Sequence, residues 1–491
     1  MSTAALRAPD REFLRALADV VFANPFTRER VALIRRLAPE APRDLASDRE
    51  ALARVVAPKV TPFVRDNALA RLASEDRLLL EPALLYVTYH RYIPQLDAHI
   101  KRQAEKAGEP LAAAFGEDAV RELVQMGFDE DRSARLFAFF FQLRRAFYFI
   151  ERALAGESES MQRLRQALWN NMFTHDMRGY EAALWSRMED FSTLLLGETG
   201  TGKGSAAAAI GRSEFIPYLR HERCFATNFA ESFIAINLSQ FPENLIESEL
   251  FGHRKGAFTG AIDHHQGIFD RCNRHGALFL DEIGEVSIPV QIKLLQVLQD
   301  RTFMAVGGRE KKRFSGRVIA ATNQRLDALR RESRFRDDFF YRLCSDMIEV
   351  PTLRQRIAES PAELEQLVAL LVERVTGGAA PDLGARVLEA LERGLPRGYP
   401  WPGNVRELEQ AVRRVLLTGS YTAQSAGGTL SKEAALVEKL RAGTLPADEL
   451  LARYCGMLYR RLGSYAEVAR VTGLDPRTSR KYAIAGLAGE R

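Results

Sequence analysis

The pattern of apolar and polar residues divides the chain into two parts. Up to about residue 155, apolar positions recur every three or four residues, which is typical of helices, and alternating strand patterns are scarce. From about residue 157, short apolar runs alternate with helical stretches. Strands separated by helices indicate a parallel α/β sheet whose ligand site lies at the carboxyl ends of the strands. The predicted strands cover residues 193–196, 233–236, 277–280, 318–321 and 347–350.

An aromatic segment, residues 137–150, stands out in the helical part. It could form a ligand pocket or a surface for a partner, but we favour a buried helix. Arg144 and Arg145 exclude a membrane span, and helices in protein cores commonly have this composition. No strand-borne acidic pocket of the kind that marks a phosphorylated receiver domain is found here. His90 and His99 are expected to be ordinary helix residues.

Beyond the predicted sheet, residues from about 360 to 417 form a helical pattern that breaks at Pro400-Trp401-Pro402-Gly403. Residues 418–429 are rich in Gly, Ser, Thr and Ala, which indicates a linker. A compact tail follows from about Pro446. Its residues 463–482 predict a helix, a turn that contains glycine, and a second, basic helix that begins at Pro476. This is the geometry of a helix-turn-helix.

Composition adds little to this division. The 491 residues carry a net charge of +5 with a pI near 9.0, which permits a nucleic-acid partner without arguing for one. The four cysteines form no CxxC pair and the eight histidines show no metal-ligand spacing, so we expect reduced thiols and no zinc site. No signal peptide and no apolar run of roughly 20 residues is found. We therefore expect a cytoplasmic protein with no membrane partner.

A glycine-rich loop follows the first predicted strand and leads into a predicted helix, residues 205–210. This is the strand, loop and helix order of a phosphate-binding loop, in which backbone N–H groups surround a triphosphate and Lys203 reaches its outer phosphates. A glycine-rich turn beside a lysine is the alternative. Gly204 stands where most such loops carry the Ser or Thr that holds Mg²⁺, so altered ATP affinity is expected. The candidate ATP-binding residues are Gly197, Glu198, Thr199, Gly200, Thr201, Gly202, Lys203, Gly204 and Ser205.

The third and fourth predicted strands end in polar residues. Asp281 and Glu282 follow the third strand, and we predict that Asp281 holds Mg²⁺ while Glu282 polarises the water that attacks the γ-phosphate. Asn323, after the fourth strand, would lie near the γ-phosphate. The alternative for the two acids is a solvated strand end, which the phosphate loop upstream makes less favourable.

Between these strands lies the run Gly256-Ala257-Phe258-Thr259-Gly260-Ala261. Two glycines bracket a Phe-Thr pair that is poorly suited to core packing. Residue for residue, this run resembles the GAFTGA loop of sigma-54-dependent transcriptional activators, the bacterial enhancer-binding AAA+ ATPases. The resemblance covers about residues 157–418, and several motifs occur in the family's order.

The resemblance implies further roles. The 256–261 loop would contact sigma-54, and Asn237 would restrain the catalytic glutamate until γ-phosphate is sensed. Arg336 and Arg342 match arginine fingers that reach the ATP of a neighbouring subunit, so a homo-oligomeric ring, by likeness a hexamer, is expected. Arg406 matches the second sensor on the helical lid. A guanidinium suits these positions because it stays charged and binds phosphate oxygens in a fork, although a surface ion pair is the plain alternative for each arginine alone.

The tail resembles the Fis-type DNA-binding domain of the same activators. Arg477, Thr478, Arg480 and Lys481 could face bases and phosphates of upstream enhancer DNA, whereas Thr472 and Ser479 are more polar than expected there. A helical hairpin without DNA contact is the alternative. The implied domains are a helical regulatory region (1–155), an AAA+ α/β ATPase subdomain (156–355), its helical lid (356–418), a linker (419–445) and the tail (446–491).

These features predict an ATP-hydrolysing activator that binds upstream DNA and remodels sigma-54 RNA polymerase into the open complex. The rival is a DNA-bound AAA+ regulator that acts independently of sigma-54. Residues 211–232 are longer than the family norm, and a surface loop is favoured there over a new interface.

Overall fold

The computed structural model describes residues 5–39, 45–64, 67–106, 108–422 and 445–488. Its contacts divide the chain into two compact units, Met1–Ser420 and Tyr421–Arg491. Most of the predicted linker, residues 423–444, lies outside the described residues. Within the described ranges, no helix is both long enough and apolar enough to cross a membrane.

The amino-terminal part of the first unit is helical, as its apolar spacing predicts. Side-chain caps fix two of the helix starts, because Thr27 accepts the backbone N–H of Arg30 and Asp129 accepts that of Arg132. The helices are α1 Ala8–Phe22, α2 Arg28–Leu37, α3 Leu45–Val60, α4 Ser74–Glu105, α5 Phe115–Met126, α6 Glu130–Ala153 and α7 Glu159–Phe173.

Helix α6 contains the aromatic segment of the sequence, and its aromatic face is buried. Phe137 and Phe141 are fully buried. Their rings stack on Phe225, at centroid distances of 5.6 Å and 3.9 Å. The buried-helix interpretation is confirmed.

The centre of the first unit is a five-stranded sheet in which the neighbouring strands are parallel, with the order β4-β5-β8-β1-β9. The five predicted strands are confirmed, with small shifts at their ends. The inner strands β5 and β8 are apolar on both faces because helices cover the sheet on both sides. In chain order the strands are β1 Thr193–Leu196, β2 Tyr218–Leu219, β3 Cys224–Phe225, β4 Phe233–Asn237, β5 Ala277–Asp281, β6 Thr302–Phe303, β7 Lys312–Arg313, β8 Arg317–Thr322 and β9 Asp346–Glu349.

Helices connect these strands and continue beyond the last one as a helical lid. The helix predicted after the glycine-rich loop is confirmed as α8 Lys203–Gly211. The remaining helices between strands are α9 Glu243–Phe251, α10 Ile268–Arg271, α11 Ile288–Asp300, α12 Leu326–Arg331 and α13 Asp337–Leu343. The lid helices are α14 Leu353–Glu359, α15 Ala362–Thr376, α16 Pro381–Gly394 and α17 Asn404–Thr418.

The segment between α8 and β4, residues 212–232, is here called the hairpin segment. Its strands β2 and β3 pair antiparallel, and Tyr218, Phe225 and Phe229 are buried. The Tyr218 hydroxyl donates to the carbonyl oxygen of Ala113, at 3.2 Å, between α4 and α5. The surface-loop expectation is therefore wrong, because this segment packs its aromatic residues into the core of the amino-terminal helices.

A buried arginine ties α6 to the start of the hairpin segment. Arg145 is fully buried, and its guanidinium donates to the carbonyl oxygens of Arg212, at 2.7 Å, and Glu214, at 2.6 Å. Burial lowers its pKa to about 9. The amino-terminal helices and the five-stranded sheet share one continuous hydrophobic core.

The second unit contains α18 Ala447–Leu462, α19 Tyr465–Thr472 and α20 Pro476–Ala488. Its small core is formed by Cys455, Leu458, Val468 and Ala483. The turn Gly473-Leu474-Asp475 joins α19 to α20, and Asp475 accepts the backbone N–H groups of the first turn of α20. The unexpected polar residue Ser479 is buried and donates to the Asp475 carbonyl at 3.0 Å.

Candidate functional site

The phosphate loop, residues 197–204, joins the carboxyl end of β1 to the amino end of α8. Gly200 and Gly202 have φ angles of 79° and 105°, which favour glycine. A Cβ at Gly200 would lie 2.2 Å from the Gly403 carbonyl oxygen, so the lid backbone approaches the loop closely. A Cβ at Gly202 would meet no atom within 4 Å. The backbone at the start of α8 is therefore accessible to an anion.

The Lys203 side chain is turned into this loop. It is only 6% exposed, and its Nζ donates to the carbonyl oxygens of Gly197, at 2.8 Å, and Glu198, at 3.1 Å. Burial lowers the pKa of the ammonium, and the carboxylates of Glu282 and Asp281 oppose that shift. The loop thus holds its cation close to the acidic end of β5.

Glu282 follows directly after β5 and is the best candidate for a base. Its φ of 57° turns the chain sharply at the strand end. Its carboxylate accepts the backbone N–H of Asn323 at 3.4 Å. Burial and the Asp281 charge raise the pKa of Glu282, whereas Lys203 opposes the shift. A carboxyl group with a raised pKa is a stronger proton acceptor when it is ionised.

Asn323 follows β8 directly and connects the end of this strand to the phosphate loop. Its amide Nδ2 donates to the Thr199 hydroxyl at 2.8 Å. The structure therefore brings Thr199, Lys203, Glu282 and Asn323 together at the carboxyl ends of β1, β5 and β8.

Two lid residues complete this group, and the sequence patterns did not identify them. Arg354 forms an ion pair with Glu198, with Nη1–Oε2 at 2.8 Å, and this contact lowers the pKa of Glu198. Asn404 has a φ of 52° and donates to the Thr199 carbonyl at 3.0 Å. The break at Pro400-Trp401-Pro402-Gly403 was the available signal, because it marks a special backbone just before Asn404.

Arg406 lies in the first turn of α17, where its backbone N–H donates to the Gly200 carbonyl at 3.3 Å. Its side chain is exposed, and its charge is close enough to lower the pKa of Lys203 further. The predicted sensor arginine therefore lies beside the phosphate loop.

The donors at this site fit a nucleotide that carries Mg²⁺. Mg²⁺ is commonly held by one or two carboxylates together with phosphate oxygens, and Asp281 supplies one such carboxylate at the end of β5. Gly204 offers no side-chain ligand, and Ser205 is exposed in the first turn of α8. Among the described residues, no cluster of three or more His, Cys, Asp or Glu could hold a metal without such a partner.

The other predicted catalytic residues do not join this group in the described part of the chain. Asn237 pairs in register with Asp281, but its Oδ1 accepts from the Ser239 backbone and hydroxyl. The Arg336 side chain is 40% exposed and forms an ion pair with Asp338, with Nη2–Oδ2 at 2.7 Å.

The Arg342 guanidinium is hydrogen-bonded within the same chain. Its Nε and Nη2 donate to the Leu298 carbonyl at 2.9 Å and 2.7 Å, near the carboxyl end of α11. Because a guanidinium at a helix carboxyl end satisfies unpaired carbonyl groups and suits the helix dipole, Arg342 also stabilises the fold.

The 256–261 loop is a separate, exposed feature. Gly256 and Gly260 have φ angles of 79° and 102°, and the Gly256 N–H donates to the Ala261 carbonyl at 2.8 Å. Phe258 and Thr259 lie exposed between them. The Phe258 ring is 37% exposed and contacts the His253 ring edge to face, at 5.0 Å between centroids.

The base of this loop is pinned by backbone pairing. His253 and His265 exchange two N–H···O bonds of 3.0 Å, and the Arg254 N–H donates to the Val306 carbonyl at 3.0 Å. The His253 ring also contacts the Ser248 hydroxyl at 2.6 Å. The base of the loop is therefore held in place by hydrogen bonds, and its exposed tip lies between two glycines.

In the second unit, the predicted DNA-binding residues lie on the first two turns of α20. Arg477, Arg480 and Lys481 are exposed, and Thr478 is half-buried. The Arg480 guanidinium lies 5.5 Å from the centre of the Tyr465 ring. The helix thus presents a basic surface.

Comparison with known protein families finds a family that matches part of this chain. Residues 175–349 match the Sigma-54 interaction domain family. This range includes the phosphate loop, Asp281 and Glu282, and the 256–261 loop.

Curated relatives of known name cover more of the chain. The sigma54-dependent transcriptional activator SfnR of Pseudomonas putida is 36% identical over 269 residues, which are 55% of this chain and 68% of that protein. The Nif-specific regulatory protein of Azotobacter vinelandii is 34% identical over 350 residues, 67% of this chain and 58% of that protein. The chain spans about half the length of most of the curated relatives it matches.

Among solved structures, NtrX from Brucella abortus is similar, with a TM-score of 0.39 and 22% identity over 75% of this chain and 79% of that one. A likeness of this extent supports no statement about ligands.

Proposed function

Because the chain belongs to the family of sigma-54-dependent transcriptional activators, we propose that it is an ATP-hydrolysing activator that binds upstream DNA through its tail. A homo-oligomeric ring, by family likeness a hexamer, uses hydrolysis to remodel sigma-54 RNA polymerase into the open complex. The observation that carries this proposal is that one chain holds a phosphate-loop site and a separate loop with Phe258 and Thr259 exposed at its tip.

The site residues divide the work of hydrolysis. Lys203 and the backbone N–H groups at the start of α8 bind the phosphates, because they are the fixed positive groups of the loop. Asn323 and Thr199 orient the γ-phosphate end, and Glu282 accepts a proton from the attacking water. ATP bound with Mg²⁺ supplies the phosphoanhydride bond whose hydrolysis releases free energy. Asp281 would hold the Mg²⁺ that accompanies the nucleotide.

The 256–261 loop has no task in holding the nucleotide, because Lys203, Glu282 and Asn323 already occupy the strand ends. Its base is pinned by His253 and His265, while its exposed tip is free to bind a partner. An exposed aromatic ring on a small loop is a common anchor in protein recognition. We assign this tip to sigma-54.

Variants of the loop tip that separate ATP hydrolysis from open-complex formation test the proposal. Phe258→Ala and Thr259→Ala should retain at least half of the ATPase rate and bind DNA normally, but abolish open-complex formation at a sigma-54 promoter. Wild type, trapped with a γ-phosphate transition-state mimic, should retain sigma-54, and both variants should lose it. Leu417→Ala removes an exposed apolar side chain far along the chain and serves as the control.

Normal activation by both loop variants, or a wild type that never retains sigma-54, would favour the rival. The protein would then be a DNA-bound AAA+ regulator that acts without sigma-54.

A further inference from the structure

A cleft of about 720 Å³ lies at the end of the sheet opposite the phosphate loop. Gly276 at its wall immediately precedes β5, Arg317 begins β8, and Glu214 follows the carboxyl end of α8. Since Lys203 begins that same helix, α8 separates the cleft from the nucleotide site. The cleft is therefore a second, independent cavity.

The floor of the cleft is a neutral, buried ion pair. Arg317 is 2% exposed and donates to the Glu214 carboxylate at 3.1 Å. Its remaining N–H groups donate to the Phe191 carbonyl at 2.9 Å and to Asn171. A buried arginine that is saturated in this way stabilises the floor and adds no net charge.

The rim of the cleft is positively charged. Arg313 faces Glu189 at 3.8 Å, which is a loose pair. Arg187 and Arg274 are exposed, and in the described ranges neither forms an ion pair. His275 is neutral at physiological pH because burial lowers its pKa to about 4. Two uncompensated guanidinium groups consequently remain at the rim.

One wall of the cleft is apolar and aromatic. The rings of Trp185 and Phe215 contact each other at a centroid distance of 4.7 Å. Met188 and Pro217 extend this wall. The two rings are tilted by 58° to each other, and this apolar wall lies next to the positive rim.

We propose that this cleft binds a small organic anion, an aromatic ring that carries a sulfonate or carboxylate group. Its volume lies in the range of roughly 300–1,000 Å³ found for small-molecule sites, which are mostly apolar with a few convergent polar groups. Arg187 and Arg274 bind the oxyanion in a fork, and the Trp185–Phe215 wall receives the ring. The site goes beyond the proposed function, and its absence would leave that function intact.

A pair of fluorescent probes that differ only in charge tests the site on the full chain. The probes are 8-anilinonaphthalene-1-sulfonate and its uncharged analogue N-phenyl-1-naphthylamine. The sulfonate should bind wild type at least tenfold more tightly than the neutral probe, and excess ATP should not displace it. Equal binding of both probes would mean a merely apolar surface and would overturn the site, as would displacement by ATP.

Substitutions of the rim arginines show whether the sulfonate probe binds in this cleft. Arg187→Ala with Arg274→Ala should weaken sulfonate binding roughly tenfold, because two charge-assisted contacts are lost. Arg36→Ala with Arg397→Ala removes two exposed arginines elsewhere and should change nothing. Arg187→Gln with Arg274→Gln, whose fold is checked by circular dichroism, should match the alanine pair. Wild-type affinity in either cleft variant would overturn the proposal.

Discussion

At the scale of single residues, the nucleotide site holds two opposite charges where burial disfavours both. Burial lowers the pKa of Lys203 and raises that of Glu282, and each charge partly restores the other. The backbone oxygens that accept from Lys203 and the N–H that donates to Glu282 keep both groups in place. The pair is therefore sensitive to the protonation of Glu282.

The raised pKa of Glu282 predicts an acid limb in the pH profile. A base must be ionised, so kcat/KM for ATP should be full at high pH and should fall as pH drops through a pKa above the ordinary 4.5. Glu282→Gln should bind ATP and lose at least a hundredfold in turnover at every pH. Steady-state ATPase assays from acid to neutral pH check this.

The matched control is Glu285→Gln, three residues further along and exposed. It should keep the rate, and its acid limb should move to slightly lower pH because one nearby negative charge is gone. Turnover by Glu282→Gln at the wild-type rate would remove Glu282 from the role of base.

Sequence reasoning identified Lys203, Asp281, Glu282 and Asn323 because each follows a strand or lies in a glycine-rich loop, where local pattern marks the position. Arg354 and Asn404 were not identified as contacts of the phosphate loop. They are more than 150 positions from the loop, and only the packing of the lid brings them to Glu198 and Thr199.

At the scale of secondary-structure elements, the strands of the sheet are easier to predict from the sequence than the strands of the hairpin segment. Strands β1, β4, β5 and β8 are mainly apolar runs of four to six residues, which made them predictable. Strand β9 is shorter of apolar residues, with Met347 and Ile348 between two acids, and it was predicted with its bounds shifted by one residue. Strands β2 and β3 have two residues each, which is too short for an alternation to register. Their burial arises from contacts with α4, α5 and α6, which are distant in sequence.

Arg145 is expected to be the strongest single link between α6 and the hairpin segment. Arg145→Ala should lower the free energy of unfolding by roughly 2–4 kcal/mol, because the carbonyls of Arg212 and Glu214 lose a charged donor and a cavity forms. Urea unfolding followed by circular dichroism measures this. The exposed Arg163→Ala should change it by less than about 0.5 kcal/mol. Equal values for the two variants would contradict the role given to Arg145.

The basic surface of α20 predicts contacts to DNA phosphates. Arg480→Ala and Lys481→Ala should each weaken DNA binding and lower the slope of log K against log salt by about 1. ATPase activity should not change, because the described residues place these side chains in a separate compact unit. Arg461→Ala on α18 makes the same charge change as a control. Salt slopes that stay at the wild-type value in both α20 variants would argue for a hairpin that does not touch phosphates.

At the scale of the whole molecule, the amino-terminal helices and the five-stranded sheet belong to the same compact unit. Their core is continuous from α1 through the hairpin segment to the strands. The boundary expected near residue 155 stays a prediction. Removal of residues 1–155 would expose Tyr218, Phe225 and Phe229 to water, so the ATPase rate of such a fragment would report on its folding as well as on regulation.

The proposed ring rests on arginines that act across a subunit boundary. The Arg336 side chain is 40% exposed, and in the described part of the chain its guanidinium is paired with Asp338 alone. It can therefore exchange that partner for a phosphate of a neighbour. Arg342 is a poorer test, because its substitution also leaves the Leu298 carbonyl without donors. Arg336→Ala is therefore the variant to mix with Lys203→Ala.

Each variant alone should be nearly inactive: Lys203→Ala lacks the cation that binds the phosphates, and Arg336→Ala lacks the group donated to the next subunit. In an equal mixture, an active site needs Lys203 in its own subunit and Arg336 in the neighbour. Random assembly of a closed ring should thus restore about a quarter of the wild-type rate per site. The double variant mixed with Lys203→Ala should restore none. If the equal mixture also stays inactive while light scattering shows that mixed rings form, Arg336 does not act in trans.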